Sequence, residues 1–196
     1  TGVDDWLLDD SQWTTVTVAV DSSVSDPHFA GLAELVSVST ADDDFAGFVL
    51  SKIAASVQES GTIDTFTVHL TAQPDTNVTL TAMSGDTGEA TVSPTVLTFT
   101  PASWNEPQTI TVTGVDDPLI DGSQHTLVTV SVADDFSDDK FDEVTDQTVT
   151  VVTADDDVAG FTVSRTAVMV SEQGTSDSFT VVLTAQPGTN VVWDVA

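Results

Sequence analysis

The sequence contains no cysteine and only 3 Lys and Arg residues. Without cysteine, disulfide bonds and thiolate zinc sites are excluded. So few Lys and Arg side chains cannot neutralise a nucleic-acid backbone, and they form no basic face for anionic lipids. No apolar run approaches the roughly 20 residues of a membrane-spanning helix, so we expect no membrane insertion in this segment. Nucleic acids and bilayers are therefore not expected as partners.

Acidic and strand-forming residues dominate the sequence instead. There are 32 Asp and Glu residues, and the formal net charge is -29. The hydrophobic fraction is 40%, with many Val, Thr and Phe residues, which favour strands with one buried face. A net charge of this size opposes compaction by self-repulsion, which predicts bound counter-cations or a high salt concentration around the protein.

A unit of about 112 residues is repeated along the chain. Residues 40–48 (TADDDFAGF) return as residues 153–161 (TADDDVAGF), and residues 1–5 (TGVDD) return as residues 113–117. Self-similarity at a fixed period is the signature of tandem repeats, and this period matches the size of a β-sandwich domain. The chain therefore holds a little less than two copies of one sandwich unit.

The predicted domain boundaries follow the acidic triplet that ends each copy. Residues 46–157 are predicted to form one complete β-sandwich repeat. Residues 1–45 are then the C-terminal part of a preceding repeat, and residues 158–196 are the N-terminal part of a following one. Because residue 1 lies inside a repeat, we expect a longer polypeptide. The outer pieces lack partner strands, so neighbouring repeats of the same chain or identical chains are the expected partners.

Hydrophobic periodicity within the complete repeat predicts strands throughout. In residues 63–71 (IDTFTVHLT), Phe66, Val68 and Leu70 alternate with polar residues, so we expect these three side chains in the core. Short alternating segments with turn residues every roughly 8–12 positions are typical of an antiparallel sandwich. The predicted fold class is all-β, with tandem immunoglobulin-like sandwiches. A short helix is predicted only at residues 30–34.

The candidate metal ligands are acidic residues at predicted strand ends. If these loops meet at one tip of the sandwich, their carboxylates supply the roughly six to eight oxygen ligands that Ca²⁺ prefers. The candidates in the complete repeat are Glu59, Asp86, Asp116, Asp117, Asp121, Asp155, Asp156 and Asp157. The candidates in the outer pieces, most of them at repeat-equivalent positions, are Asp4, Asp5, Asp9, Asp42, Asp43, Asp44 and Glu172.

Two interpretations of these acidic residues stay open at this point. Scattered acidic side chains are ordinarily solvated surface charge. The triplets at residues 42–44 and 155–157 favour a cation instead, because three adjacent carboxylates without a basic neighbour repel one another. The loops do not match an EF-hand, which needs acids at alternate positions and a Glu at the twelfth.

Several motifs resemble those of the Calx-β domain, and together they cover the whole chain. The motifs are residues 46–48 (AGF), 57–59 (VQE), 64–68 (DTFTV), 97–101 (LTFTP), 107–112 (PQTITV), 114–117 (GVDD) and the terminal triplet. More narrowly, the chain is similar to the Calx-β-like repeats of large bacterial surface and adhesin-type proteins. The resemblance implies calcium at the domain tip beside the following domain. The implied ligands are Glu59, Asp86, Asp116 with Asp117 or Asp121, and the triplet.

The predicted function is a non-enzymatic structural repeat that Ca²⁺ stiffens, in the stalk of a large adhesin-type protein at a bacterial cell surface. Extracellular calcium modules bind with dissociation constants of roughly 10⁻⁴–10⁻³ M, so they are filled outside a cell and empty inside it. No set of nucleophile, base and orienting residue stands out in the sequence, so no enzymatic activity is predicted.

Two alternative functions remain. In the first, the chain is a subunit of a self-assembling extracellular filament or sheath, and neighbouring copies complete its outer pieces. The other is a calcium-dependent module that binds a cell-surface glycan or protein. Trp6 and Trp13 lie near acidic residues, as sugar-stacking aromatics do, but the second copy has Pro118 and His125 at these positions. Recurrence therefore favours the structural role.

Overall fold

The computed structural model describes residues 1–195, and its regular structure consists almost entirely of strands. These residues contain no α-helix, and short 3-10 turns occur at Pro27–Phe29, Asp134–Phe136 and Asp139–Phe141. No helix in the described part of the chain is long and apolar enough to cross a bilayer. The strands are β1 (Gln12–Ala19), β2 (Ala33–Thr40), β3 (Phe48–Leu50), β4 (Ala54–Gln58), β5 (Ile63–Leu70), β6 (Val78–Ser84), β7 (Ala90–Ser93), β8 (Val96–Phe99), β9 (Gln108–Gly114), β10 (Gln124–Val132), β11 (Gln147–Ala154), β12 (Phe161–Val163) and β13 (Val181–Leu183).

A four-stranded sheet and a five-stranded sheet share one hydrophobic core, which confirms the predicted β-sandwich class. Their strand orders are β3-β5-β9-β7 and β4-β11-β10-β6-β8. Neighbouring strands are antiparallel, except that β4 and β11 run parallel. The parallel pair arises because the first strand of the unit is broken. Strand β3 joins the smaller sheet, the chain crosses over at residues 51–53, and β4 then joins the edge of the larger sheet.

The inward-facing set predicted from alternation is confirmed in β5. Phe66, Val68 and Leu70 are buried, and Phe66 lies opposite Ile110 of β9. Burying a side chain of this size contributes about 1.5–3 kcal/mol to stability. The other large side chains of the core are Phe48, Leu50, Val57, Val78, Leu80, Leu97, Phe99, Val112, Val128, Val130, Phe141, Val149 and Val151. This core fixes the strand ends from which the acidic loops emerge.

The helix predicted at residues 30–34 is wrong. Strand β2 begins at Ala33 and runs to Thr40, and its full length pairs with β1. The only helical structure nearby is the 3-10 turn just before it, which Asp26 caps by accepting the main-chain N–H of His28 at 2.9 Å. Pairing with an adjacent strand satisfies a row of main-chain groups, and this outweighs the weak helical preference of a short segment.

The outer strand pairs repeat the geometry of pairs inside the sandwich. Strands β1 and β2 pair as β10 and β11 do, with Gln12 opposite Thr40 in one pair and Gln124 opposite Thr153 in the other. Strands β12 and β13 repeat the pairing of β3 with β5. No residue of β1, β2 or β12 is buried, and Leu35 of β2 is 69% exposed. The division at residues 45 and 157 stays a prediction.

The same contact joins the sandwich to each outer piece. The Trp6 carbonyl accepts the N–H of Gln73 at 2.7 Å, and the Pro118 carbonyl accepts the N–H of Gln186 at 2.6 Å. The residue after each carbonyl forms an isolated parallel bridge with the same glutamine. The acidic segment around Trp6 therefore lies against the turn that follows β5. The equivalent segment after β9, around Pro118, lies against the turn that follows β13 in the next unit.

Candidate metal centre

Five carboxyl groups converge at one end of the sandwich, where β4, β9 and β11 end and β7 begins. Oxygen atoms of Glu59, Asp117 and Asp157 lie within 4.8 Å of one another. Oxygen atoms of Glu89, Asp117 and Asp121 meet the same limit. Because Asp117 belongs to both groups, the five side chains form a single cluster, called the acidic tip below.

Glu59 is the most deeply buried member of the acidic tip. Its side chain is 1% exposed, and neither carboxylate oxygen has a hydrogen-bond partner. One buried oxygen of Glu89 and one of Asp157 are unpartnered in the same way. Burial, followed by the negative charges of Asp155 and Asp117, raises the pKa of Glu59 to about 7. Buried carboxylates without partners cost several kcal/mol each, roughly, so this arrangement needs a compensating charge.

The chain's own basic residues do not supply that charge. Burial, followed by neighbouring carboxylates, also raises the pKa of Glu89 and the pKa of Asp157. The three Lys and Arg side chains pair with acids away from the acidic tip. These pairs are Lys52 with Asp64, Lys140 with Asp75, and Arg165 with Asp177. A cation from solution is therefore the natural partner of the cluster.

Main-chain hydrogen bonds bring the contributing strand ends together. The Glu59 N–H donates to the Ala154 carbonyl at 3.1 Å, and the Val115 N–H donates to the Glu89 carbonyl at 2.9 Å. Gly114 lies between these contacts. A Cβ atom there would stand 2.0 Å from the carbonyl oxygen of the residue before Glu59. Only glycine lets the backbones of β4 and β9 approach closely enough to place Glu59 beside the loop after β9.

The three aspartates of the terminal triplet have different roles. The Asp155 carboxylate accepts the N–H of Gly122 at 2.9 Å and the N–H of Asp157 at 2.8 Å, and these bonds lower its pKa. Asp155 therefore shapes the loop. Asp156 is exposed. Asp157 directs an unpartnered buried oxygen into the acidic tip, so it is the ligand candidate of the three.

The loops of the first copy adopt the same arrangement. The Asp42 carboxylate accepts the N–H groups of Asp10 and Asp44 at 3.0 Å each, as Asp155 accepts those of Gly122 and Asp157 at the equivalent positions. Burial, followed by the charge of Asp42, raises the pKa of Asp44. The acidic residues Asp4, Asp5, Asp9, Asp10, Asp42, Asp43 and Asp44 line a cleft of about 300 Å³. Residues 1–45 contain no counterpart of Glu59 or Glu89, so this copy presents only the loop half of the acidic tip.

The remaining candidates lie outside the two groups of converging oxygens. The Asp86 carboxylate accepts the N–H of Gly88 at 2.9 Å. Glu89, three residues later, contributes the carboxylate from this loop that was expected from Asp86. Asp116 is exposed, and it lines a shallow depression together with Asp156 and Glu59. Glu172 is exposed in the outer piece.

The sequence position that could have identified Glu89 as a ligand candidate is the one directly before the buried Ala90, where β7 begins. Asp86, in contrast, lies inside the loop.

The acidic tip fits a calcium ion by its chemistry. All five side chains offer oxygen, and three of them have buried oxygens without a hydrogen-bond partner. Calcium takes roughly six to eight oxygen ligands, including carboxylates and main-chain carbonyls, with flexible geometry. Zinc and copper prefer nitrogen or sulfur ligands, which this cluster does not contain. The residues that would hold Ca²⁺ are Glu59, Glu89, Asp117, Asp121 and Asp157.

The raised pKa of Glu59 predicts how metal-free stability depends on pH. The unfolded chain loses this proton near the ordinary glutamate pKa of 4.5, whereas in the folded chain the pKa of Glu59 is about 7. Between these values the folded state binds more protons, so its stability falls as the pH rises. We expect a lower urea midpoint at pH 8 than at pH 5 in chelator-treated protein. Glu59→Gln should remove most of this slope, and an equal slope in the variant would contradict the assignment.

The comparisons with known proteins concern the fold alone. No protein-family model matches the chain, and no curated protein matches it. The apo form of the Calx CBD1 domain is 15% identical over 58% of this chain and 100% of that domain, with a TM-score of 0.43. The periplasmic chaperone SfaE is 10% identical over 57% of this chain and 59% of the chaperone, with a TM-score of 0.43. The Caenorhabditis elegans MSP family member WR4 is 8% identical over 55% of this chain and 97% of that protein, with a TM-score of 0.41. The comparisons assign no family.

Proposed function

We propose that the acidic tip binds Ca²⁺ and thereby aligns successive sandwich units of an extracellular repeat protein of the Calx-β type. The observation that carries this proposal is the set of buried, unpartnered carboxylate oxygens of Glu59, Glu89 and Asp157 around Asp117. Such a set is unfavourable in a metal-free protein and favourable around a divalent cation. The role is structural and non-catalytic, within the stalk of an adhesin-type surface protein.

The position of the acidic tip connects ion binding to the joint between units. Asp117 and Asp121 belong to the segment whose Pro118 carbonyl accepts the N–H of Gln186 in the next unit. The Asp117 carboxylate also accepts the N–H of Leu119 at 2.7 Å, so the ligand and the joint share one short loop. A cation that fixes this loop lowers the free energy of the aligned arrangement more than that of a bent one.

The proposed location outside the cell follows from ion supply and charge. Sites with dissociation constants of roughly 10⁻⁴–10⁻³ M are filled in extracellular fluids and empty in the cytosol. A chain with a net charge of -29 also gains most from divalent counter-ions where they are abundant. Neighbouring repeats, in the same chain or in identical chains, are the proposed partners.

The decisive experiment measures how rigidly the sandwich holds the following unit. Because the chain has no cysteine, Thr148→Cys and Thr162→Cys introduce two unique spin-label sites at exposed positions on β11 and β12. We expect a broad distance distribution with chelator and a narrow one with millimolar Ca²⁺, measured by double electron–electron resonance. In Asp157→Asn the distribution should stay broad, whereas Asp135→Asn, which changes an exposed loop charge, should behave as the parent does. Equal breadth with and without Ca²⁺ would refute the aligning role.

A further inference from the structure

Lys140 is one of the 3 Lys and Arg residues of the chain, and its side chain crosses the joint between the first outer piece and the sandwich. Its ammonium group donates a hydrogen bond to the Leu8 carbonyl of the outer piece. The same group pairs with the Asp75 carboxylate of the sandwich at 2.7 Å. Lys140 thus binds one main-chain acceptor on the preceding piece and one charged acceptor on its own unit.

The turn that carries Lys140 is fixed by a buried carboxylate. Asp138 is 5% exposed and accepts the N–H groups of Asp75 at 2.7 Å, Thr76 at 2.9 Å and Lys140 at 3.1 Å. Phe141, one residue further along, is fully buried in the core. Because both flanks of the turn are anchored, the Lys140 side chain starts from a defined position, and less conformational entropy is lost when it reaches Leu8.

Two further contacts belong to the same interface. The Trp6 carbonyl accepts the N–H of Gln73 at 2.7 Å. The Trp6 ring lies 5.9 Å from the Trp104 ring of the sandwich, tilted by 45°. Together with Lys140 and Leu8, these contacts use main-chain carbonyls and an aromatic pair. No carboxylate of the acidic cleft takes part in these three contacts.

We propose that Lys140 is a specificity-determining residue of the repeat joint, which docks the carbonyl-bearing segment at residues 6–8 of the preceding unit onto the sandwich without any cation. Trp104 contacts the Trp6 ring of the preceding piece, and this contact depends on the side chain that the preceding unit presents. This inference does not rest on the proposed calcium function, because none of its contacts involves a residue of the acidic tip.

The repeat itself supports a unit-specific role. Lys140 is replaced by His28 at the equivalent position of the first copy, and Trp6 is replaced by Pro118 in the second copy. The Gln73 and Gln186 main-chain contacts, in contrast, occur at both joints. The main-chain contact is therefore common to both joints. Lys140 and Trp6, in contrast, differ between the copies and distinguish one joint from another.

The test is hydrogen exchange of two amides in the full chain, in chelator. In Lys140→Met we expect the Gln73 amide to exchange roughly five-fold faster, the effect of losing one partly exposed charged hydrogen bond. The Gln186 amide, which makes the same bond at the other joint, should keep its rate and serves as the internal control. Lys140→Arg should restore most of the protection, because it retains the charge and the donors.

Matched variants separate docking from folding and from charge. Lys52→Met removes the same charge from a pair inside the sandwich and should leave both amides unchanged. The Ile110 amide reports the core and should remain protected in every variant used. An unchanged Gln73 rate in Lys140→Met would overturn the proposal. Equal acceleration at Gln73, Gln186 and Ile110 would overturn it as well, since a general loss of stability would then explain the result.

Discussion

Glu59→Gln is expected to stabilise the metal-free protein and to abolish its response to calcium. In the metal-free state at pH 8, the substitution removes a buried charge whose pKa is raised to about 7, which should increase the free energy of unfolding by about 2 kcal/mol. In millimolar Ca²⁺ the same substitution removes the most deeply buried ligand. The variant should therefore be more stable than the parent in chelator and less stable in calcium.

Thermal unfolding with chelator and with excess Ca²⁺ measures both effects. At about 100 times the dissociation constant, one site adds about 2.7 kcal/mol, which corresponds to a rise of roughly 10 °C in the parent protein. Glu59→Gln should show almost no rise. Glu106→Gln, which changes an exposed carboxylate in the loop before β9, is the matched control and should respond as the parent does. A crossing of the parent and variant curves is specific to this account, because simple loss of packing lowers stability in both conditions.

Gly114→Ala is expected to be among the most damaging single substitutions in the sandwich. The added Cβ would lie 2.0 Å from the Gln58 carbonyl oxygen and 2.7 Å from its carbonyl carbon. Both are main-chain atoms of β4, so relief requires the strands to move apart. We expect a loss of about 3 kcal/mol or more in unfolding free energy, measured by urea denaturation. The Ca²⁺-induced rise in Tm should also shrink, because Glu59 follows Gln58 directly.

Gly88→Ala provides the comparison for this effect. A Cβ at Gly88 would meet only the Asp86 carboxylate, at 3.1 Å, and that exposed side chain can turn away. We expect a change within about 0.5 kcal/mol, as is usual for surface substitutions. Similar losses in the two alanine variants would show that glycine matters at these positions for loop flexibility. The close approach of β4 and β9 would then not be the reason.

The sandwich was predictable because its signal is local and redundant. Alternation along β5 marks Phe66, Val68 and Leu70 as the inward face, and the structure buries all three. The parallel pairing of β4 with β11 was not predictable in the same way. It depends on the crossover at residues 51–53, where the chain changes sheets, and periodicity carries no information about which sheet a short strand joins. The error at residues 30–34 has the same origin, since only pairing with β1 determines that segment.

The candidate site was predictable as a set of loops but not as a set of ligands. The sequence marks all three residues of the triplet equally. Only the folded loop separates Asp155, which accepts main-chain N–H groups, from Asp157, which has an unpartnered buried oxygen. Likewise, the sequence places Asp86 and Glu89 in one loop, and the start of β7 determines that Glu89 lies in the cluster. Ligand identity depends on side-chain direction, which follows from tertiary structure.

Calorimetric titration of the chelator-treated chain with Ca²⁺ at pH 7 measures directly whether the acidic tip binds the ion. We expect saturable binding with a heat that depends on the ionisation enthalpy of the buffer, because binding displaces the proton that Glu59 retains up to about pH 7. Glu59→Gln should weaken binding strongly and reduce the buffer dependence, and Glu106→Gln should change neither. Absence of saturable heat, or binding that Glu59→Gln leaves intact, would contradict the assignment of the acidic tip as a calcium site.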